Sequence, residues 1–359
     1  MKICMLSMKG NFNKNIGQGV QSVIQETYDG VRAQIRSPDR LDRVEVGVGK
    51  SLLRRKVSFT LLLPFRDFSG YDIIHTMAPI MFNPRKGGNA TTLTAVYEFP
   101  IVPEGHILYS EPLTAAQLAG RPRALFEHAL FKLIKRQVLG SDYLTSISSL
   151  ATEEAVKIGF DRKRIFTINI GIDQRFIDQK LPGRKEGGKF KVGYLGNMHR
   201  RKNVIFGVRA FRQVPGRDLE FDIWGKQTWE YERLVEEARG DGRIRFKGFA
   251  PEGNIVGIYD TFDAFLYPTS YGGFEMELLE AQARGIPVII DKKAILPKEV
   301  RRYCLEAEDP AHAAQIITDL KENGYDQRRR KAALDYARGF TWKRTAEETV
   351  KVYRKILNE

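Results

Sequence analysis

Cysteine is scarce in this chain. Cys4 and Cys304 lie near opposite ends of 359 residues. Such a pair argues against a disulfide framework and suits a reducing cytoplasm. Histidine is sparse too: His75, His106, His128, His199 and His312 form no HxH or HExxH spacing. A dedicated zinc site is therefore not expected. No apolar run approaches the roughly 20 residues that a membrane-spanning helix needs. The opening MKICMLSMKG has a short apolar run and no cleavage signal, so it reads as a first buried strand rather than a signal peptide. No internal repeat or low-complexity tract stands out. What the chain does have is positive charge, +14 in all, with the larger share in the first half. A basic protein meets phosphates, whether in nucleic acid, anionic lipid or a small ligand. Aromatics are not interleaved with the basic clusters as stacking platforms would require, which argues against nucleic acid.

Apolar runs alternate with helical patterns twice over. In the first half strands are expected at 2–8, 56–63, 71–77, 91–98, 142–148 and 164–170, with helices at about 19–29, 113–138 and 151–159. LPGRKEGGK (181–189) is charged, glycine-rich and aperiodic, and reads as a linker. The pattern then restarts, with strands at 189–196, 219–225, 243–249, 263–269 and 286–291. Helices fall near 202–213, 228–239, 252–260, 274–284 and 310–323, and a last one at 345–358. Continuous apolar strands alternating with helices imply parallel sheets covered on both faces. The expectation is an α/β protein of two Rossmann-like domains facing a cleft, over 1–183 and 184–340. Residues 341–359 would form a C-terminal helix packing back across the junction.

Four segments carry candidate chemistry. In GNFNKNIGQGVQS (10–22), Gly17 and Gly19 precede a helix and could lay amides against a phosphate or sugar oxygen. Ser22 stands where a dinucleotide fingerprint needs its third glycine, so a plain turn is the alternative and a dehydrogenase is disfavoured. In YLGNMHRRKN (194–203), His199, Arg200, Arg201 and Lys202 crowd a helix start that the macrodipole makes unfavourable for cations. An anion bound there would account for them, as would a solvated loop. In SYGGFEMELLEAQARGIPVII (270–290), Glu275 and Glu277 suit the positive end of the helix dipole. Glu280 lies beyond that benefit among apolar residues and needs a donor, either a ribose diol or an internal cation. Finally, RPRALFEHALFKLIKR (121–136) is a basic amphipathic stretch, with KSLLRRK (50–56) as a second basic run. Such a helix either packs its apolar face inward or lies on an anionic membrane.

The second half resembles the donor domain of family 4 retaining glycosyltransferases, which have the GT-B fold. The resemblance rests on Gly196-Asn197-Met198 with Lys202-Asn203, on Phe246-Lys247-Gly248-Phe249 and on Tyr267-Pro268-Thr269-Ser270. It continues through Gly273-Phe274, Glu280-Ala281, Gly285-Ile286-Pro287-Val288 and Pro297-Lys298-Glu299-Val300. In the first half Gly17–Gly19, Asp72-Ile73-Ile74-His75 and Asn169-Ile170-Gly171-Ile172-Asp173 fit as well, so nearly the whole chain is covered. The resemblance implies an acceptor-side first domain and a donor-binding second one. Lys202 would hold the donor diphosphate, the backbone at Gly272, Gly273 and Phe274 would meet phosphate and sugar, Glu280 would hold the ribose, and Gly248 and Phe249 would flank the base. It implies a metal-independent, retaining hexosyltransferase with no cofactor beyond a UDP- or GDP-sugar co-substrate. The acceptor would be a glycan or a lipid-linked one. Such a protein would be cytoplasmic, and peripheral on the inner membrane face if 121–136 binds lipid. Three positions depart from the pattern. Asn197 stands in place of arginine, with Arg200 or Arg201 as candidate suppliers of the charge. Gly272 stands in place of the first of two glutamates, with Glu275 as its candidate replacement. Tyr97 stands in place of a first-domain histidine, followed by Glu98 where aspartate is common. Those departures keep a second class open, a non-catalytic glycosyltransferase-like binding or scaffold subunit.

Overall fold

The structure, a computed structural model, describes residues 1–8, 20–46, 67–77, 90–96, 135–136, 138–182 and 188–358. The chain divides into two compact units, Met1–Gly171 with Thr341–Glu359, and Ile172–Phe340.

In the first unit the described strands are β1 (Lys2–Met8), β2 (Arg40–Val46), β3 (Ile73–Thr76), β4 (Thr91–Val96), β5 (Tyr143–Ser146) and β6 (Ile165–Thr167). They form one parallel sheet in the order β2-β1-β3-β4-β5-β6. Ile3, Cys4, Met5 and Leu6 are all fully buried, the signature of a strand covered on both faces. The helices Val20–Gln34 and Trp342–Asn358 pack together. The terminal helix buries Ala346, Val350, Tyr353 and Ile356 along one stripe, and the Tyr353 hydroxyl lies 2.7 Å from Nδ1 of buried His75. β2 has no counterpart among the expected strands. Its sequence RLDRVEV carries four charged residues in seven, Arg40, Asp42, Arg43 and Glu45, which an edge strand with one neighbour tolerates. The expected strand at 56–63 and most of the expected helix at 113–138 lie outside the described residues.

The second unit holds β7 (Phe190–Leu195), β8 (Leu219–Trp224), β9 (Ile244–Gly248), β10 (Ala264–Leu266), β11 (Val288–Asp291) and β12 (Leu305–Ala307). All are parallel, in the order β12-β11-β10-β7-β8-β9. The chain runs outward from β7 through β9, then returns beside β7 as β10 and runs the other way. Connections therefore diverge between β7 and β10, and the carboxyl ends of those two strands are where sheets of this kind form a ligand crevice.

The expected break at 183/184 falls instead at 171/172. Residues 172–180 are bonded into the second unit. The Ile172 amide donates to the Phe340 carbonyl at 3.0 Å. Buried Arg284 clasps Asp260 at 2.7 and 2.9 Å and donates to the carbonyls of Gln179 and Lys180 at 2.6 and 2.8 Å.

One glycine sets the close approach of the loops beyond β7 and β8. Gly225 has φ +150° and donates its amide to the Gly248 carbonyl at 2.8 Å, and a Cβ there would run into the Gly196 carbonyl group. Gly225→Ala should cost about 1–3 kcal/mol in urea unfolding, the range for overpacking at a strained position. A loss below about 0.5 kcal/mol, the scale of an ordinary surface change, would show that the loops are not so constrained.

Candidate functional site

The site grows from the two loops at that crevice. Beyond β7 the chain passes Gly196 and Asn197 to a single turn, Arg200–Lys202. His199 caps the turn, its Nδ1 accepting the Arg201 amide at 3.3 Å. Asn203, in the left-handed region at φ 49°, then joins the turn to the helix Val204–Gln213. Asparagine is among the few residues that take this conformation readily. The turn carries Lys202 inward, where it is 6% exposed. Beyond β10, Tyr267 enters the second loop, which is fastened to the first: the Ser270 amide and hydroxyl both donate to the Arg201 carbonyl at 2.9 Å.

The two loops meet at Glu275. Its carboxylate accepts from Lys202 Nζ, from Arg201 Nη1 at 2.8 Å and from the Tyr267 hydroxyl at 2.7 Å. Lys202 also donates to the Tyr267 oxygen, and Glu277 lies 4.0 Å from it. Tyr267 is held in a stack with Tyr194, 5.6 Å between ring centres, and Phe265, also 5.6 Å. Burial opposes ionisation of Glu275, but the Lys202 and Arg201 charges, with hydrogen bonds from Lys202 and Tyr267, outweigh it and hold the carboxyl below its usual range. Glu275 is thus more than a dipole partner. It stands at the N-cap of the helix Met276–Ala283 yet makes no capping bond. The anion that the crowd of cations called for is supplied, in this state, by the protein itself.

Glu280 lies one turn along the same helix, on the side of Glu277. It is half-buried, and among the described residues its side chain is bonded by the Tyr259 hydroxyl, at 3.0 Å, with no cation in ion-pair range. Burial first, then repulsion from Glu277 and Asp173, raises its pKa from 4.5 to about 8. The internal-cation alternative is not what the structure holds.

The remaining candidates distribute as follows. Gly17, Gly19 and Glu98 lie outside the described residues, as do residues 121–134 of the basic stretch. Asn197 uses its carbonyl to accept from Tyr194 at 2.9 Å. Gly272 donates its amide to the Ile295 carbonyl at 3.1 Å, which leaves Gly273 and Phe274 of the three expected amides. Gly248 has φ +75°, and Phe249 beyond it is 61% exposed at the rim of the sheet. Tyr267 stands out in sequence only as the start of Tyr267-Pro268-Thr269-Ser270, without a role of its own, and Tyr259 does not stand out at all; each follows or sits in an apolar run and reads as core.

This geometry belongs to a chain with four likenesses among known proteins and families. Residues 189–323 match the family model described as glycosyl transferases group 1. The chain is 29% identical over 173 residues to O-antigen chain mannosyltransferase B of Escherichia coli, covering 45% of each. The matched portion is thus under half of that relative's length. Two solved structures share the fold: sucrose-phosphate synthase of Thermosynechococcus elongatus (TM-score 0.72, 18% identity, 100% of this chain and 99% of that one), and Anabaena HepE in complex with UDP-glucose (0.66, 12%, 99% and 100%). The fold class expected from the sequence, two parallel α/β units of the GT-B kind, is the one observed.

The raised pKa of Glu280 has a sign that can be checked. Between about pH 5 and pH 8 the unfolded chain has this carboxyl ionised while the folded protein keeps its proton, so stability falls as pH rises, by at most about 1.4 kcal/mol per pH unit. Glu280→Gln should remove this component. Urea unfolding of both proteins at about pH 5.5 and pH 8 measures it. Equal pH slopes would contradict the assignment.

Proposed function

We propose that this chain is a retaining glycosyltransferase that moves a hexose from a UDP- or GDP-sugar to a glycan or lipid-linked acceptor. The observation that carries the reading is the convergence of Lys202 and Arg201 on one anion position at the switch point of the second sheet, with the Glu280 carboxyl, which has no ion-pair partner among the described residues, five residues further along the chain from Glu275. An anion site and a hydrogen-bonding site so placed suit a diphosphate and its ribose. Exposed Phe249, at the end of β9, offers a face to the base. The match to glycosyl transferases group 1 supports the activity, and the relative that makes O-antigen chains supports a glycan acceptor. The neighbour that holds UDP-glucose supports the donor class.

The chemistry follows from charge. The bond between the sugar C1 and the diphosphate oxygen breaks, and its electron pair stays with the diphosphate. An acceptor hydroxyl oxygen forms the new bond to C1 from the same face, and its proton passes to the departing diphosphate oxygen. The anomeric configuration is kept and no strong protein base is needed. The protein's part is to position the two substrates and to neutralise the developing negative charge. Lys202 and Arg201 perform the second task. Glu275 and Glu98 are the candidate catalytic carboxylates beside Lys202, of which Glu98 lies outside the described residues. Residues 121–136 would bring the protein to an anionic membrane carrying a lipid-linked acceptor; failure to float with anionic liposomes at low salt would remove that element. No helix among the described residues is long and apolar enough to cross a membrane.

A panel of UDP- and GDP-sugars, assayed for hydrolysis or transfer, tests the activity and separates it from a non-catalytic binding subunit. With the accepted donor, Lys202→Ala should raise the barrier by about 2–4 kcal/mol, roughly 30- to 1000-fold in kcat/KM, the scale of one preorganised charge-stabilising donor. Wild-type kinetics in this variant would refute the role. Glu280→Ala should chiefly weaken nucleotide affinity, read by calorimetry.

A further inference from the structure

We infer that Glu275 is an exchangeable placeholder: in the free protein its carboxylate occupies the position that a diphosphate takes between Lys202 and Arg201, and the incoming ligand displaces it. This rests on the reading above and concerns how the same site is kept in order before the donor arrives.

Three observations converge. The carboxylate is 5% exposed and takes both cations and the Tyr267 hydroxyl at once, which is how an oxyanion ligand would be held. It also fills space that belongs to no other side chain: a Cβ added at Gly272 would strike the Glu275 carboxyl group, so Glu275 lies folded back over that glycine. Lastly, the group is not spent on its own helix. Although Glu275 is the N-cap, its side chain makes no capping bond, so leaving the cations would not uncap the helix.

Charge explains why a placeholder is useful. Lys202 is buried and Arg201 is about one quarter exposed, and these two neighbouring cations, both directed at one point, repel unless an anion lies there. Glu275 supplies that anion from within. A diphosphate carries more charge than one carboxylate and can satisfy both cations, so exchange is possible without leaving either unpaired. The freed carboxylate, three residues from Gly272, then faces the sugar whose hydroxyls can donate to it. The occupied state is a tax on affinity: ligand binds only to the fraction of molecules in which the cations are vacant.

The test uses full-length wild type, Glu275→Ala and Glu275→Gln, with UDP and GDP as calorimetric probes and inorganic pyrophosphate as a probe that needs no base or sugar site. If the cations are free a tenth of the time or less in the wild type, both variants should bind the preferred nucleoside diphosphate about tenfold or more tightly. Their turnover of the sugar nucleotide should fall at the same time. Pyrophosphate should raise the melting temperature of Glu275→Gln, the shape-preserving variant, by more than it raises that of the wild type. Equal or weaker binding in the variants, or an equal pyrophosphate shift, would make Glu275 a fixed strut and overturn the exchange. If no nucleoside diphosphate binds any of the three but the pyrophosphate difference is present, the exchange stands and the nucleotide-sugar reading falls.

Discussion

Lys202 is a charged group held almost wholly out of water. Leaving such a charge unpaired costs several kcal/mol, and removing one partner of a buried pair typically costs about 3–5 kcal/mol. The surrounding structure follows from meeting that demand. Asn203 takes a left-handed conformation so that the turn can deliver Lys202 inward and still launch a helix. Ser270 fastens the loop beyond β10 to the Arg201 carbonyl, which brings Glu275 within reach. Tyr267 is held by stacking with Tyr194 and Phe265, and its hydroxyl reaches both the cation and the carboxylate. Gly225 has no side chain because the Gly196 carbonyl passes through the space one would need.

Two of the three carboxyls of the helix Met276–Ala283 and its cap, Glu275 and Glu280, are set apart by their surroundings. Glu275 sees two cations and is held ionised. Burial first, then Glu277 and Asp173, push Glu280 up to about 8, toward its neutral form, against the opposing pull of the Tyr259 hydroxyl and Arg175. A neutral or nearly neutral carboxyl can both accept and donate, which suits a diol. An ionised one suits cations or, once freed, a cluster of hydroxyls. One short helix thus carries an ionised carboxyl at its start and a largely protonated one further along.

Much of this was legible in the sequence, and what was hidden was hidden for physical reasons. Strands buried on both faces announce themselves as apolar runs, so Lys2–Met8 and Phe190–Leu195 were expected almost to the residue. Edge strands do not: Arg40–Val46 alternates charge with apolar residues, and Leu305–Ala307 is three residues long. The cations at 200–202 stood out because a helix start is a poor place for them. Their partner did not, since a glutamate at a helix start is already explained by the dipole; only the return of the chain as β10 beside β7 brings it to them. Tyr267 and Tyr259 are in apolar surroundings and carry no polar signal of their own. The glycine-rich 181–189 looked like the boundary, yet the unit begins at Ile172 because Arg284 bonds the carbonyls at 179 and 180.

The most direct measurement is a crystal structure of the protein with a UDP- or GDP-sugar bound. The account predicts a diphosphate on Lys202 and Arg201, ribose hydroxyls on Glu280, and the Glu275 carboxylate turned away from both cations. A nucleotide bound elsewhere, with Lys202 still joined to Glu275, would contradict it.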